Sequence, residues 1–122
     1  MFVSQSRVIR KIAKEQSCII VGRCSDYILK DFPKESIIKV FCYTDAADAS
    51  KRCKAVYHIA AENVEAEIKR INRSRISHYQ YYTNQKWGDP HNYDLMISTG
   101  NMTFAMACDI IVHLYQIKHK TL

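Results

Sequence analysis

The stretch Ser17-Cys18-Ile19-Ile20-Val21-Gly22-Arg23-Cys24-Ser25-Asp26-Tyr27-Ile28-Leu29 decides how the chain is read. Cys18 to Val21 form a continuous apolar run with three β-branched members, the pattern of a strand covered on both faces in a parallel sheet. Gly22 ends the run, and Tyr27, Ile28 and Leu29 then fall at a spacing that suits one helical turn. The order is therefore strand, glycine, arginine, helix. Ligands of open α/β sheets sit beyond the carboxyl ends of the strands, so Arg23 stands where a phosphate would bind. The plainer reading, a turn glycine followed by a surface charge, stays open on these residues alone.

Working outward, the spacing predicts a first helix over about Ser4 to Gln16, with Val8, Ile9, Ile12 and Ala13 as its apolar stripe. Ile37 to Tyr43 is a second mostly apolar strand. Thr44 or Asp45 is placed to cap a helix over about Ala46 to Tyr57. A turn near Ala60 and Ala61 leads to a long helix from about Glu62 to Tyr81. Its acids lie first (Glu62, Glu65, Glu67) and its arginines later (Arg70, Arg73, Arg75), as the helix dipole favours. Trp87-Gly88-Asp89-Pro90 marks a turn within the loop Lys86 to Asn92. Tyr93 to Ile97 is a third strand, and Phe104, Ala107, Cys108, Ile111, Leu114 and Tyr115 line a last helix. Strands alternating with helices define an α/β fold with about three parallel strands.

A chain of 122 residues forms one domain, residues 1–122, and no apolar run approaches the roughly 18 residues of a membrane span. The formal net charge of +6 favours phosphate-bearing partners, nucleotides or nucleic acid. Five cysteines, odd in number and without a C-x-x-C pair, exclude a disulfide framework or zinc ribbon and point to free thiols in a reducing cytoplasm. Cys18, Cys42 and Cys108 sit in apolar segments, where burial is expected. The five histidines show no metal-ligand spacing.

At about 100° per residue, Val64, Ile68, Ile71 and Arg75 share one sector of the long helix. An arginine on an apolar stripe calls for a carboxylate or a phosphate, which makes Arg75 the anion ligand derived from pattern. An internal salt bridge, or a helix that has left the core by that point, fits equally well. Lys51, Arg52 and Lys54 either complement the end of their helix or lean over a phosphate chain. Tyr79, Tyr81, Tyr82, Trp87 and Tyr93 either pack as core or stack bases.

These residues in order resemble the cytidylate kinase-like family, a branch of the P-loop nucleoside monophosphate kinases. Val21-Gly22-Arg23-Cys24-Ser25-Asp26-Tyr27-Ile28-Leu29 is similar to that family's G-R-C-A-D-Y-I-L segment. Phe41, a helix bearing Arg52, then Ile68, Asn72, Arg73, Arg75, Tyr81-Tyr82, Trp87-Gly88-Asp89 and Tyr93 to Thr99 follow in the family's order. The resemblance implies a three-layer P-loop kinase fold with a lid-like helical region over about 45–82. It implies phosphate transfer from ATP, with Mg2+, to a pyrimidine nucleoside monophosphate. By the same resemblance Arg75 and Arg52 are catalytic, Arg75 bridging donor and acceptor and Arg52 lying at the lid edge. Arg23, Asp26 and Arg73 bind substrate, Arg23 touching the monophosphate and Asp26 lying near the nucleoside or orienting Arg23.

Two substitutions depart from that pattern. Asn72 stands where the family often has an acid, and Cys24 stands where cytidylate kinases proper have an acid after G-R. No G-x-x-x-x-G-K-[ST] occurs, and the only glycines are Gly22, Gly88 and Gly100. The phosphate-cradling loop needs such glycines with its lysine and hydroxyl. The expectation is thus an incomplete, truncated kinase domain without activity of its own, self-associating through an exposed sheet edge. The alternative is a basic nucleotide- or nucleic-acid-binding module without catalysis, with nucleic acid the less expected partner.

Overall fold

In the computed structural model, residues 1–58, 60 and 62–121 are described; the expected turn near Ala60 and Ala61 thus falls partly outside them. Helix α1 spans Phe2–Glu15 and ends where Gln16 turns extended. Its Ile9 enters a small core with Cys24, Ile28, Leu29 and Tyr79, and Ala13, Ile20 and Ile37 pack around it. The Phe2 ring stacks on Tyr82 at 4.5 Å, which fixes the start of α1 against the end of the long helix.

The one-turn helix α2, Ser25–Ile28, follows the left-handed turn at Gly22. A single turn of 3-10 helix, Lys34–Ser36, leads into strand β1, Val40–Tyr43. Helix α3, Ala46–Val56, is capped by the Asp45 carboxylate, which accepts from the Asp48 N–H at 2.7 Å. Helix α4, Val64–Thr83, ends at Asn84 in the left-handed region. Strand β2, Leu95–Ser98, and helix α5, Phe104–Thr121, complete the chain.

Strands β1 and β2 pair in parallel, Val40 opposite Leu95 and Tyr43 opposite Ser98. The second and third expected strands therefore form as neighbours. The Lys39 and Tyr43 carbonyls accept from the Leu95 and Thr99 N–H groups at 3.2 and 2.8 Å. In a parallel ladder alternate residues face opposite edges, so Val40 and Cys42 turn their N–H and C=O groups to the edge away from β2.

The expected strand at Cys18–Val21 does not form: the sheet among the described residues has two strands, not three. Ser17 to Val21 make no backbone–backbone hydrogen bond, and Ile19 and Val21 are 94% and 86% exposed. An apolar run becomes a strand only when a neighbour completes its ladder. Here only Ile20 reaches the core.

Three further expectations are corrected by burial. Cys18, Cys42 and Cys108 are exposed, and Cys24 is the buried thiol, although all five are free. Phe104 and Tyr115 are exposed; α5 packs instead through Ala107, Ile111, Leu114 and Lys118. The Lys118 ammonium donates to the Ile37 carbonyl at 2.6 Å and lies 3.3 Å from Asp94 Oδ2, so the lysine stem fills the place of an apolar residue. Arg75 is exposed rather than on a buried stripe. Helix α4 packs on α3 near its start, where Val64 is buried, and returns to the core at Tyr79. Between these contacts Arg73 to His78 are all exposed, so the face that buries Val64 has emerged by Arg75.

Candidate functional site

Gly22, Arg23 and Cys24 have φ of 67°, 58° and 56°, three successive residues in the left-handed region. Glycine adopts that conformation freely, whereas for Arg23 and Cys24 it costs about 1–2 kcal/mol per residue. The turn is closed by the Ser25 N–H on the Gly22 carbonyl at 3.1 Å, and the Cys24 carbonyl accepts from Tyr27 and Ile28. Cys24, 6% exposed, plugs the turn into the core. Burial, and then the Asp26 charge, raise its thiol pKa. The adjoining Arg23 is exposed and makes no hydrogen bond or ion pair among the described residues. Strain held by a buried anchor beside a free cation is the pattern of a binding turn.

Asp26 begins α2 just after this turn. Its Oδ2 accepts from the Tyr79 hydroxyl at 2.6 Å. Tyr79 is buried on the last turns of α4, and the Gln85 amide lies 2.9 Å from the same hydroxyl. Thr83 holds this corner, donating to the Tyr79 carbonyl at 2.6 Å and accepting from the Gln85 N–H at 3.1 Å. Burial first, then the Asp26 carboxylate, push the Tyr79 pKa far above its ordinary value, so the phenol keeps its proton and remains a donor. Nearby, the Gly88 N–H donates to the Tyr93 hydroxyl at 3.3 Å, and Phe41 packs against Trp87 and Tyr93, each at 4.9 Å. The aromatic residues are thus largely core, with Tyr81 left exposed.

A second cluster lies beyond the carboxyl ends of β1 and β2. The Arg52 guanidinium donates to Asp48 Oδ2 at 3.1 Å and to Thr99 Oγ1 at 3.3 Å, over the Phe104 ring. Asp48 also accepts from the Thr44 hydroxyl at 2.7 Å. Gly100 is required here: a Cβ on it would meet Thr44 Oγ1 at 2.7 Å.

Arg73 and Arg75 have only local partners, the Lys69 carbonyl and Asn72 Oδ1, both at 3.4 Å. Arg73 lines a shallow depression of about 400 Å³ with Lys69, Asn72 and Ile76. Arg75 lies one helical turn before Tyr79, on the same face as the residue that reaches Asp26. The structure brings Asp26 and α4 together, holds Arg52 at the strand ends, and gives Arg23, Arg73 and Arg75 no carboxylate partner among the described residues. Among the described residues no three His, Cys, Asp or Glu side chains cluster as metal ligands.

Sequence reasoning named Tyr79 only within an aromatic group and Thr99 only at the end of a family segment, and it overlooked Asp48. The i, i+4 spacing of Asp48 and Arg52 was a readable signal. Tyr79 carried none that separated it from its aromatic neighbours.

The arrangement is that of an α/β domain with one exposed arginine on a strained turn and another held at the ends of two parallel strands. A family model described as the cytidylate kinase-like family matches residues 1–101, and the chain belongs to that family. Among solved structures the chain is similar to the crystal structure of an uncharacterized protein from Eubacterium ventriosum ATCC 27560, at 30% identity and a TM-score of 0.87. That match covers 94% of this chain and 71% of the other. No curated protein matches.

Proposed function

We propose that the chain forms the acceptor and lid parts of a nucleoside monophosphate kinase, which moves a phosphoryl group from ATP, taken as its Mg2+ complex, to a pyrimidine nucleoside monophosphate. Such transfer depends on positioning and on neutralising charge on the moving group. Arg23 binds the acceptor phosphate and Asp26 supports the nucleoside side of the site. Arg52 meets the donor phosphates at the strand ends, where Asp48 and Thr99 now hold it. Arg73 and Arg75 on α4 add charge between donor and acceptor, with residues 45–82 serving as the lid. The domain works in the cytoplasm, with its five cysteines as thiols; no helix among the described residues is long and apolar enough to cross a membrane. Since these 122 residues hold no G-x-x-x-x-G-K-[ST], they do not turn over alone.

The observation that carries this reading is Arg23, exposed and unpartnered on a strained turn whose next residue is locked in the core. The test is calorimetric titration of CMP and UMP into the protein and into Arg23→Ala. A charge-assisted contact to phosphate predicts that Arg23→Ala weakens binding by about 10-fold or more. Equal affinity in both proteins contradicts the assignment.

A further inference from the structure

Arg23 and Asp26 are three residues apart across one tight turn, yet among the described residues the guanidinium has no partner and the carboxylate is engaged elsewhere. An exposed arginine and a carboxylate this close in sequence can pair, with the modest gain of a surface ion pair. We propose that Tyr79 is a positioning residue that keeps Arg23 free for its anion: by donating to Asp26 Oδ2 from α4, it withdraws the one carboxylate of the turn that would otherwise close on the guanidinium.

Three features make this more than a packing contact. The Tyr79 hydroxyl has two acceptors in reach, Asp26 Oδ2 at 2.6 Å and Gln85 Oε1 at 2.9 Å, and the nearer, charged one takes its proton, while Thr83 braces the Tyr79 backbone. Asp26 lies in the first turn of the helix that the Gly22–Cys24 turn leads into, two residues after Cys24. The donor comes from the helix that bears Arg73 and Arg75. Docking of α4 on α2 and release of Arg23 are then one event: when Tyr79 lifts away, Asp26 swings to Arg23 and the acceptor phosphate loses its ligand. A lid helix would thereby report its position to the acceptor site through a single hydroxyl.

The inference rests on the reading of Arg23 as a phosphate ligand, and its test separates the two. In protein labelled with nitrogen-15 and free of ligand, solvent exchange of the Arg23 Nε–H reads the pairing alone. Tyr79→Phe should slow that exchange by about fivefold, the range of an exposed ion pair, and Asp26→Asn in the same background should restore it. Asp26→Asn alone should leave it as in the unmodified protein. That single variant keeps the test decisive if Tyr79→Phe does not fold: faster exchange in Asp26→Asn would show Arg23 already paired and overturn the proposal.

Inorganic phosphate, followed at the same resonance, reads the site without any contact to a nucleoside. Tyr79→Phe should weaken phosphate when Asp26 is present and have no effect when residue 26 is asparagine. Weakening of the same size in both backgrounds, the mark of a merely structural tyrosine, would overturn the proposal. So would unchanged exchange in a folded Tyr79→Phe. Slowed exchange with no phosphate binding in any variant would support the pairing and contradict the role given to Arg23.

Discussion

The Tyr79 hydroxyl meets Asp26 Oδ2 at 2.6 Å, joining two residues that are 53 positions apart in the chain. The contact fastens the end of the long helix α4 to the short helix α2 at the base of the Gly22–Cys24 turn. It also lies within the core cluster, since Tyr79, Cys24 and Ile28 are all buried together. The turn and the core are thus joined, and that has measurable consequences.

The first is alkaline sensitivity. Cys24, Tyr79 and Tyr93 all have raised pKa values, with burial the largest cause in each. A group that holds its proton more tightly when folded stabilises fully below its unfolded pKa, and that stability is lost as pH rises toward the folded value. The melting temperature should therefore hold to about pH 9, the ordinary thiol value, and then fall steeply through pH 10 and above. Thermal melts across pH 7 to 11 would check this. A flat profile above pH 10 would count against the buried phenol and thiol.

The second concerns thiol reactivity. Cys18, Cys42 and Cys108 are exposed, Cys53 is half-buried and Cys24 is buried with a raised pKa. With a chromogenic disulfide reagent at neutral pH, three thiols should react quickly, one more slowly, and the fifth only after denaturation. Recovery of three or fewer from denatured, non-reduced protein would reveal a disulfide and contradict the cytoplasmic placement.

The third follows from the open edge of β1. Val40 and Cys42 direct their backbone groups away from β2, and Cys42 and Tyr43 are exposed beside them. An unpaired edge with apolar side chains recruits another strand. Size-exclusion chromatography should show the weight-average mass rising with concentration. A lysine in place of Cys42 should shift the population toward monomer. A concentration-independent monomer would refute self-association through this edge.

The fourth is catalytic. Purified 1–122 with ATP, Mg2+ and either CMP or UMP should release no ADP above background in a coupled assay. Turnover that disappears with Arg75→Ala, with Arg7→Ala as the exposed control, would mean that another segment cradles the donor phosphates.

Much of this was legible in the sequence, for reasons that differ by residue. Ile37 to Tyr43 and Tyr93 to Ile97 announced β1 and β2 because their apolar runs lie in segments that find each other. Cys18 to Val21 carries an equally apolar run, but pairing is a property of two segments, and no neighbour is there to meet it. Gly22 marked the turn, whereas the left-handed backbone of Arg23 and Cys24 has no signature in their side chains. Arg75 shows the limit of helical projection. The periodicity placed it correctly on the face of Val64, but which turns of that face are covered depends on where α3 ends and the core resumes. Asp26 was singled out before its partner, since a long-range contact from a tyrosine cannot be read from spacing.

The central claim is that Arg23, on its strained turn beside Asp26, forms the acceptor-phosphate site. The most direct measurement is nuclear magnetic resonance mapping of CMP or UMP on labelled protein 1–122. The account predicts that the largest shifts fall on Gly22 to Asp26 and on the Arg23 guanidinium, and that in Arg23→Ala the backbone shifts need about 10-fold more nucleotide or do not appear. Shifts that centre elsewhere, or that titrate at the same concentration in Arg23→Ala, would contradict it.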